Sequence, residues 1–357
     1  MRDIPIQRLY HTNVVVNDAR ATAQQYARLL GITRWEVRHW TPRRLASIQA
    51  YGYRAEFGYS TATGRNAQGV TFGLIQPTHG FSTFTEYLIT RGEGVHSLCT
   101  TMLPAPELES LATALEREHG LTVAQAVADA DGCSSIVFDT RQSLGGFCIE
   151  ALSSDAASPV TADEVWDLSG EDQRPAGVGW LAQIPRVGHF GIAVSSLTDK
   201  LPSYARLLGV SRWNGVHFHN TPGGLEHATL DGRVVDNAWL LAITDVADFG
   251  LELLQGTRGP TDYQRTVQRI GEGIHHVLVR RGATDAEWSA VRDWMESMNI
   301  GVVMSGRVRH GAGEFFYLDT REALGYLLEV LVSREAPETS APAPANWRFT
   351  FDFTNAV

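Results

Sequence analysis

The stretch YARLLGITRW, residues 26–35, returns almost unchanged as YARLLGVSRW at residues 204–213, an offset of 178 positions. Other landmarks keep nearly the same offset. His11 is matched by His189, and the GEGVH turn that ends at His96 is matched by a GEGIH turn that ends at His275. A register held over so many landmarks indicates a tandem duplication rather than a chance likeness.

The duplication sets the predicted domain organisation. We expect a first domain over residues 1–152, a linker over 153–186, a second domain over 187–333 and a Pro/Ala-rich C-terminal tail over 334–357. The linker is rich in Ser, Ala, Asp and Pro, a composition typical of connecting segments. Within the tail, the closing WRFTFDFTNAV alternates polar and apolar residues and predicts a docked strand.

Within each half, the predicted order of strands and helices occurs twice. A β-branched run, HTNVVV at 11–16, precedes an amphipathic segment over 18–31 that ends on Gly31, as helices commonly do. Three strand-like runs follow, and the order then repeats from GVHSLCTTM at 94–102. The predicted fold class is therefore α+β, with four βαβββ modules that form two tandem domains.

The amino-acid composition excludes several classes of protein. The chain has 357 residues, 43% of them hydrophobic and 20% charged, values typical of globular domains, and its net charge of −10 argues against a nucleic-acid partner. Three cysteines do not make a disulfide scaffold and are expected to be buried thiols. Neither a signal peptide nor a membrane-spanning stretch is evident. We expect a cytoplasmic protein with a small-molecule substrate and no membrane partner, and leave a homodimer open.

Each half places one His early in its first strand, one His in its fifth strand and one Glu in its last strand. The two sets are His11, His96 and Glu150, and His189, His275 and Glu329. Two imidazoles and one carboxylate can hold a divalent metal and leave positions open for substrate. We therefore predict metal sites with Fe, Mn, Zn, Co or Ni. His276 would point to the opposite face from His275 and is assigned a structural role.

Two further histidines match between the halves. His39 and His219 lie 180 positions apart. They either line a substrate pocket or were merely inherited through the duplication.

These residues resemble the vicinal oxygen chelate superfamily, which includes glyoxalase I, methylmalonyl-CoA epimerase and the extradiol ring-cleaving dioxygenases. The first-strand His with its YARLLG helix, the GEG-[VI]-H turn and the DTR…LG…E ending are similar to the epimerase and glyoxalase-like branch. The resemblance implies paired βαβββ modules that form incomplete barrels around a metal. It also implies an enzyme, an epimerase, isomerase or lyase, whose metal binds two adjacent substrate oxygens and stabilises an enolate-type anion.

In that branch a fourth ligand stands in the fourth strand. The matching residue is Glu252 in the second half and Gly73 in the first. The resemblance thus implies four ligands in the second half and three in the first. Glu329 or Glu252 would then carry the substrate proton.

Two other functions stay open. In an Fe(II) extradiol-type dioxygenase, His310 and Tyr317 would be catalytic, although Arg321 and the Asp236–Asn237 pair depart from that family's pattern. A non-catalytic binding protein is the third reading, and the retained ligand sets argue against it. Module pairing is open as well, because pairing of the first module with the last would bring His11 to His275 and Glu329.

Overall fold

The computed structural model describes residues 2–129, 133–154, 161–221, 224–308, 313–333 and 348–354. The chain divides into two compact units. The first unit holds residues 1–173 with the short segments 203–210 and 323–325, and the second unit holds the remainder.

The first 173 residues form eleven strands and four helices among the positions described. The strands are β1 His11–Val15, β2 Arg34–Trp40, β3 Leu45–Ala50, β4 Tyr53–Arg54, β5 Phe57–Arg65, β6 Thr71–Gly80, β7 Gly94–Leu103, β8 Val123–Asp129, β9 Ser134–Phe138, β10 Cys148–Ser153 and β11 Glu164–Asp167. The helices are α1 Ala19–Leu30, α2 Thr83–Arg91, α3 Ala105–His119 and α4 Arg141–Leu144. A 3-10 helix, Ser169–Glu171, follows β11.

The rest of the chain repeats this order after a second 3-10 helix, Ala176–Ala182. The strands are β12 His189–Ala193, β13 Arg212–His219, β14 Glu226–Leu230, β15 Arg233–Val234, β16 Ala238–Val246, β17 Phe249–Arg258, β18 Gly273–Ala283, β19 Val302–Val308, β20 Gly313–Leu318, β21 Leu327–Ser333 and β22 Arg348–Asp352. The helices are α5 Leu197–Leu208, α6 Asp262–Ile270, α7 Asp285–Ser297 and α8 Arg321–Leu324. Among the residues described, no helix has both the length and the apolar character needed to cross a membrane.

The two sheets have the same topology. One runs β11-β2-β5-β6-β1-β7-β10-β9-β8-β3-β4, and the other, read in the matching direction, runs β22-β13-β16-β17-β12-β18-β21-β20-β19-β14-β15. In each sheet the two modules join at the centre, where β1 lies antiparallel to β7 and β12 lies antiparallel to β18. The predicted α+β class with four βαβββ modules is confirmed. Each half pairs its own two modules, so His11 belongs with Glu150 and not with Glu329.

An additional strand covers the same edge of each sheet. In the first unit β11, from within the predicted linker, pairs with β2, and in the second unit β22 pairs with β13. The docked strand predicted from WRFTFDFTNAV is thus confirmed, while residues 334–347 of the predicted tail lie outside the described residues. An added strand satisfies edge N–H and C=O groups that would otherwise remain open to pairing with another chain.

The repeated YARLLG motif forms the buried face and the end of a helix. In α1 the side chains of Tyr26, Leu29 and Leu30 are buried, and Asp18 accepts hydrogen bonds from two backbone N–H groups at the first turn. Gly31 adopts a left-handed φ of 66° and ends the helix, as the sequence predicts.

The three cysteines are free thiols, with Cys99 and Cys148 buried and Cys133 half-buried.

Close packing between β2 and β5 gives a test of this fold. Trp35 is fully buried, and a Cβ at Gly64 would lie 2.6 Å from its ring. Gly64→Ala should therefore destabilise the protein by about 1–3 kcal/mol through overpacking. The measurement is the midpoint of urea unfolding. Gly170→Ala, where a Cβ meets nothing within 4 Å, is the matched control. Equal midpoints for both variants would contradict the packing described.

Candidate metal centre

Four chemistry-bearing side chains meet in the second unit. They come from four adjacent strands, β21, β18, β12 and β17, which carry Glu329, His276, His189 and Glu252 in that order. Their ligand atoms all lie within 4.8 Å of one another. The exposed fraction is 6% or less for each residue, so the cluster is buried. We call these four residues the second-unit cluster.

Strand register explains why these residues converge. Gly191 of β12 lies opposite His276 of β18 and beside Glu252 of β17, whereas His189 lies opposite Leu278, the neighbour of Glu329. Residues directly opposite each other on neighbouring strands project to the same face. Distant parts of the chain therefore deliver all four side chains to one side of the sheet.

Gly191 gives the cluster its room. A Cβ at this position would lie only 1.9 Å from the His276 ring. No side chain larger than hydrogen leaves space for the imidazole there. The glycine is therefore part of the site, although it offers no ligand atom.

The cluster brings charge and ligand atoms into close contact. His189 Nε2 lies 2.8 Å from Glu329 Oε2 and 3.3 Å from Glu252 Oε2, and His276 Nε2 lies 3.3 Å and 3.2 Å from the same two atoms. Burial by itself lowers the pKa of His189, but the two carboxylates outweigh it and raise that pKa to about 10. Burial raises the pKa of both glutamates, yet the two histidines hold each below its ordinary value. Both carboxylates are therefore ionised.

The arrangement fits a metal ion better than it fits hydrogen bonding alone. The Nε2 atoms of His189 and His276 face each other at 3.1 Å, and Glu329 Oε2 has no hydrogen bond of ordinary geometry within the described structure. One cation between them would satisfy both imidazoles and both carboxylates. Imidazole with carboxylate is a donor set suited to Zn, Fe, Co, Ni and Mn.

His275, which the sequence predicts as a ligand, lies outside the second-unit cluster. The second-unit cluster contains His276 instead, the neighbour to which we assigned a structural role. The antiparallel pairing with β12 skips His275 at a β-bulge between Gly191 and Ile192, which leaves His276 on the His189 face. The GEGVH and GEGIH turns align His275 with His96, and this repeat signal pointed to His275 rather than to the histidine of the cluster.

His275 is occupied elsewhere. Its Nε2 lies 2.9 Å from Asp262 Oδ2, and its Nδ1 lies 3.0 Å from Nδ1 of His276. Asp262 is itself buried, and Arg265 lies 2.7 Å from its other oxygen. Burial raises the pKa of Asp262, but the hydrogen bond from His275 and the arginine charges hold it well below its ordinary value. Asp262 is not among the site residues predicted from the sequence.

The first unit assembles only part of its predicted triad. His11 Nε2 lies 3.2 Å from Glu150 Oε2, and Cys99 lies close to both. His96 is apart from them, packed against Phe84 and Tyr87, and neither of its ring nitrogens has a hydrogen-bond partner in the described part of the chain. Burial lowers the pKa of His96 to about 3. The structure therefore separates His96 from the other two predicted ligands.

Hydrogen bonds replace ligands at this place in the first unit. Asn13 Nδ2 donates to Glu150 Oε2 at 2.5 Å and to Ser97 Oγ at 3.0 Å, and Ser135 donates to the other oxygen of Glu150. Asn13 and Gly73 are strand partners, as Gly191 and Glu252 are in the second unit. A Cβ at Gly73 would lie 2.7 Å from Asn13 Oδ1. The asparagine thus fills the space that a fourth ligand would need.

The two units share two residues at this place in the fold and differ at four positions around them. The shared residues are the first-strand histidine, His11 or His189, and the last-strand glutamate, Glu150 or Glu329. Asn13, Gly73, Thr83 and Ser97 of the first unit stand where the second unit has Gly191, Glu252, Asp262 and His276. Among the residues described, the four-residue candidate metal cluster therefore lies in the second unit.

Two tyrosines lie beside the second-unit cluster. Tyr317 is the strand partner of Glu329 and stacks on the His276 ring at 4.5 Å between centroids. Its hydroxyl lies 2.9 Å from that of Tyr263. Burial raises the pKa of both phenols well above the ordinary value, so both stay protonated.

The other predicted residues lie elsewhere. His39 is exposed, with its ring nitrogens 2.8 Å from Ser60 Oγ and 3.1 Å from Glu164 Oε1. His219 Nδ1 lies 3.1 Å from the carbonyl oxygen of His217. His310 is outside the described residues. Substrate binding by His39 and His219 stays a prediction.

The chain is similar to known proteins in structure rather than in sequence. No family model matches the sequence, and no curated protein matches it. A mutant of 4-hydroxymandelate synthase from Streptomyces coelicolor is similar over 94% of this chain and 95% of its own, at 12% identity and a TM-score of 0.55. A catechol 2,3-dioxygenase matches over 98% of this chain and 95% of its own, at 17% identity and a TM-score of 0.43.

A methylmalonyl-CoA epimerase from Streptomyces coelicolor matches 42% of this chain and 98% of its own, at 23% identity and a TM-score of 0.28. All three proteins are members of the vicinal oxygen chelate superfamily. Taken with the two sheets of paired βαβββ modules, the likeness to 4-hydroxymandelate synthase shows that this chain has the fold of the vicinal oxygen chelate superfamily, in a form with two tandem domains.

Proposed function

We propose that the second unit binds one divalent metal ion through His189, Glu252, His276 and Glu329 and catalyses a redox-neutral reaction, an epimerisation, isomerisation or lyase cleavage. The substrate would be a small molecule with two adjacent oxygens. The observation that supports this proposal is the presence of Glu252 as a fourth buried ligand-type residue within 4.8 Å of the other three.

The number of protein ligands separates the candidate reactions. An iron oxygenase site uses two histidines and one carboxylate and leaves positions open for both substrate and oxygen. Four protein ligands leave about two positions in a six-coordinate ion. Two adjacent substrate oxygens would fill both, so the fourth ligand favours chemistry without oxygen.

The metal, when bound, would act as a Lewis acid on a substrate oxygen and lower the cost of removing the neighbouring proton. Glu252 and Glu329 lie on the two outer strands of the cluster, with the histidine strands between them. Either carboxylate oxygen could accept a proton from the substrate and return it. Burial of the cluster keeps water from competing for that proton.

The tyrosine pair adds a donor. When one of the two hydroxyls of Tyr263 and Tyr317 donates to the other, the second keeps a proton that it can offer to a substrate oxygen. At the place of Tyr263 the first unit has Phe84, and the residue opposite Glu150 is Val137 rather than a tyrosine. The hydroxyl pair thus accompanies the complete ligand set.

An Fe(II) dioxygenase is the second candidate. The observation that favours it is the placement of Tyr317 against both His276 and Glu329, since Tyr317 belongs to the stretch that resembles part of the extradiol signature. The two candidates differ in their need for oxygen, which makes them separable by experiment.

Metal content tests the assignment of ligands. We expect purified protein to bind one divalent ion per chain, and Glu329→Ala to lose it, because removal of one carboxylate leaves three donors and an unbalanced buried charge. Glu150→Ala, the same change in the first unit, should leave metal content unchanged. The measurement is elemental analysis after dialysis against a weak chelator. Unchanged metal in Glu329→Ala, or two ions per chain in the unaltered protein, would overturn the assignment.

Proton exchange tests the reaction class. We expect the Mn(II)- or Co(II)-loaded protein to exchange the α-proton of at least one member of a panel of 2-oxo acids and 2-hydroxy acids in D₂O without oxygen, as followed by NMR. Glu252→Gln should lower that exchange by about 10²-fold or more, since general-base catalysis is worth about 10²–10⁴-fold.

The same proteins, loaded with Fe(II) and given catechols in air, test the dioxygenase candidate. Oxygen consumption that matches substrate loss one to one, without anaerobic proton exchange, would contradict the redox-neutral proposal and support the dioxygenase.

A further inference from the structure

We propose that Asp262 and His275 are positioning residues that hold His276 with its proton on Nδ1, so that the Nε2 lone pair faces the metal centre. This inference rests on the proposed metal site of the second unit. It assigns a role to His275, which is not one of the four proposed ligands.

The contacts form an unbroken line. Asp262 Oδ2 lies 2.9 Å from His275 Nε2, His275 Nδ1 lies 3.0 Å from His276 Nδ1, and His276 Nε2 lies within 3.3 Å of both cluster carboxylates. Each of these residues is buried, with an exposed fraction of 3% or less. We call Asp262, His275 and His276 the histidine relay.

Hydrogen-bond direction fixes the protons along the histidine relay. An ionised carboxylate only accepts, so His275 must carry its proton on Nε2. Neutral His275 then has a bare Nδ1 that only accepts, so the proton between the rings belongs to Nδ1 of His276. His276 Nε2 faces the ionised carboxylates of Glu252 and Glu329, so without a metal it donates to them. Because His275 holds the other proton on Nδ1, Nε2 is the nitrogen that can release its proton and offer a lone pair, as a metal ligand requires.

Asp262 is held in place from its other side. Arg265 Nε and a terminal guanidinium nitrogen lie 2.9 Å and 2.7 Å from Asp262 Oδ1. The aspartate is also the first residue of α6, where the helix dipole favours a negative charge. The acceptor of the relay is therefore both oriented and kept ionised.

The first unit provides an internal control. It keeps the histidine, as His96, but has Thr83 in place of Asp262 and Ser97 in place of His276. There the threonine hydroxyl donates to Gln125, and neither nitrogen of His96 has a hydrogen-bond partner in the described structure. The hydrogen bonds of the relay thus occur in the unit that has the complete ligand set.

Tautomer and affinity together test the histidine relay. In Zn(II)-loaded protein labelled with ¹⁵N-histidine, we expect NMR to show His276 protonated on Nδ1 and bound to the metal through Nε2, and His275 protonated on Nε2, with His276→Gln used for assignment. Asp262→Thr, which copies the first unit, should abolish this single tautomer. It should also weaken Zn(II) binding by about 10- to 100-fold in chelator competition.

Two control variants separate a positioning role from a loss of packing. Arg265→Gln removes a partner of Asp262 but leaves the acceptor, and should keep Zn(II) affinity within about threefold. Asp262→Asn keeps an acceptor oxygen for His275 and should recover most of the affinity lost in Asp262→Thr. Equal losses in Asp262→Thr and Asp262→Asn, or an unchanged affinity and tautomer in Asp262→Thr, would overturn the relay.

The outcomes also separate this inference from the proposed function. His276 bound to Zn(II) through Nδ1, with its proton on Nε2, would overturn the relay, even with Zn(II) binding intact. Absence of Zn(II) binding by the unaltered protein, with His276 protonated on Nδ1, would overturn the proposed function and leave the relay as a hydrogen-bonded chain.

Discussion

The approach of two buried carboxylates to two buried imidazoles is the constraint on which the second unit depends. Glu252 and Glu329 each lie about as close to His189 and His276 as hydrogen-bonded groups do, and all four residues are buried. Buried charge is costly unless it is paired or bound to a metal. The strand register, the glycine at 191 and the hydrogen bonds behind His276 all make this one arrangement available.

The first unit shows what the same scaffold becomes when that constraint is removed. Glu150 is retained, but Asn13 and Ser135 donate to its oxygens together with His11. Hydrogen bonds thus satisfy the carboxylate without a cation. The described parts of the duplicated chain hold the fold twice and the four-residue candidate metal cluster once.

Much of this was predictable from the sequence, because a repeat reports fold directly. The offset between the YARLLG copies, and between the first-strand histidines, fixed the modules and the correspondence of Gly73 with Glu252, which strand pairing reproduces. The choice between His275 and His276 was not predictable in the same way. It depends on a β-bulge that shifts which neighbour faces His189, and a sequence repeat carries no information on that shift. Asp262 was missed because its first-unit counterpart is Thr83, so the repeat gave no signal there.

Anomalous diffraction from crystals soaked in Co(II) would test the central claim most directly, because it locates the ion and names its ligands at once. The account predicts one strong peak in each molecule, bounded by His189, Glu252, His276 and Glu329, and no peak beside Glu150. A peak ligated by His275, or one beside His11 and Glu150 with none in the second unit, would contradict it.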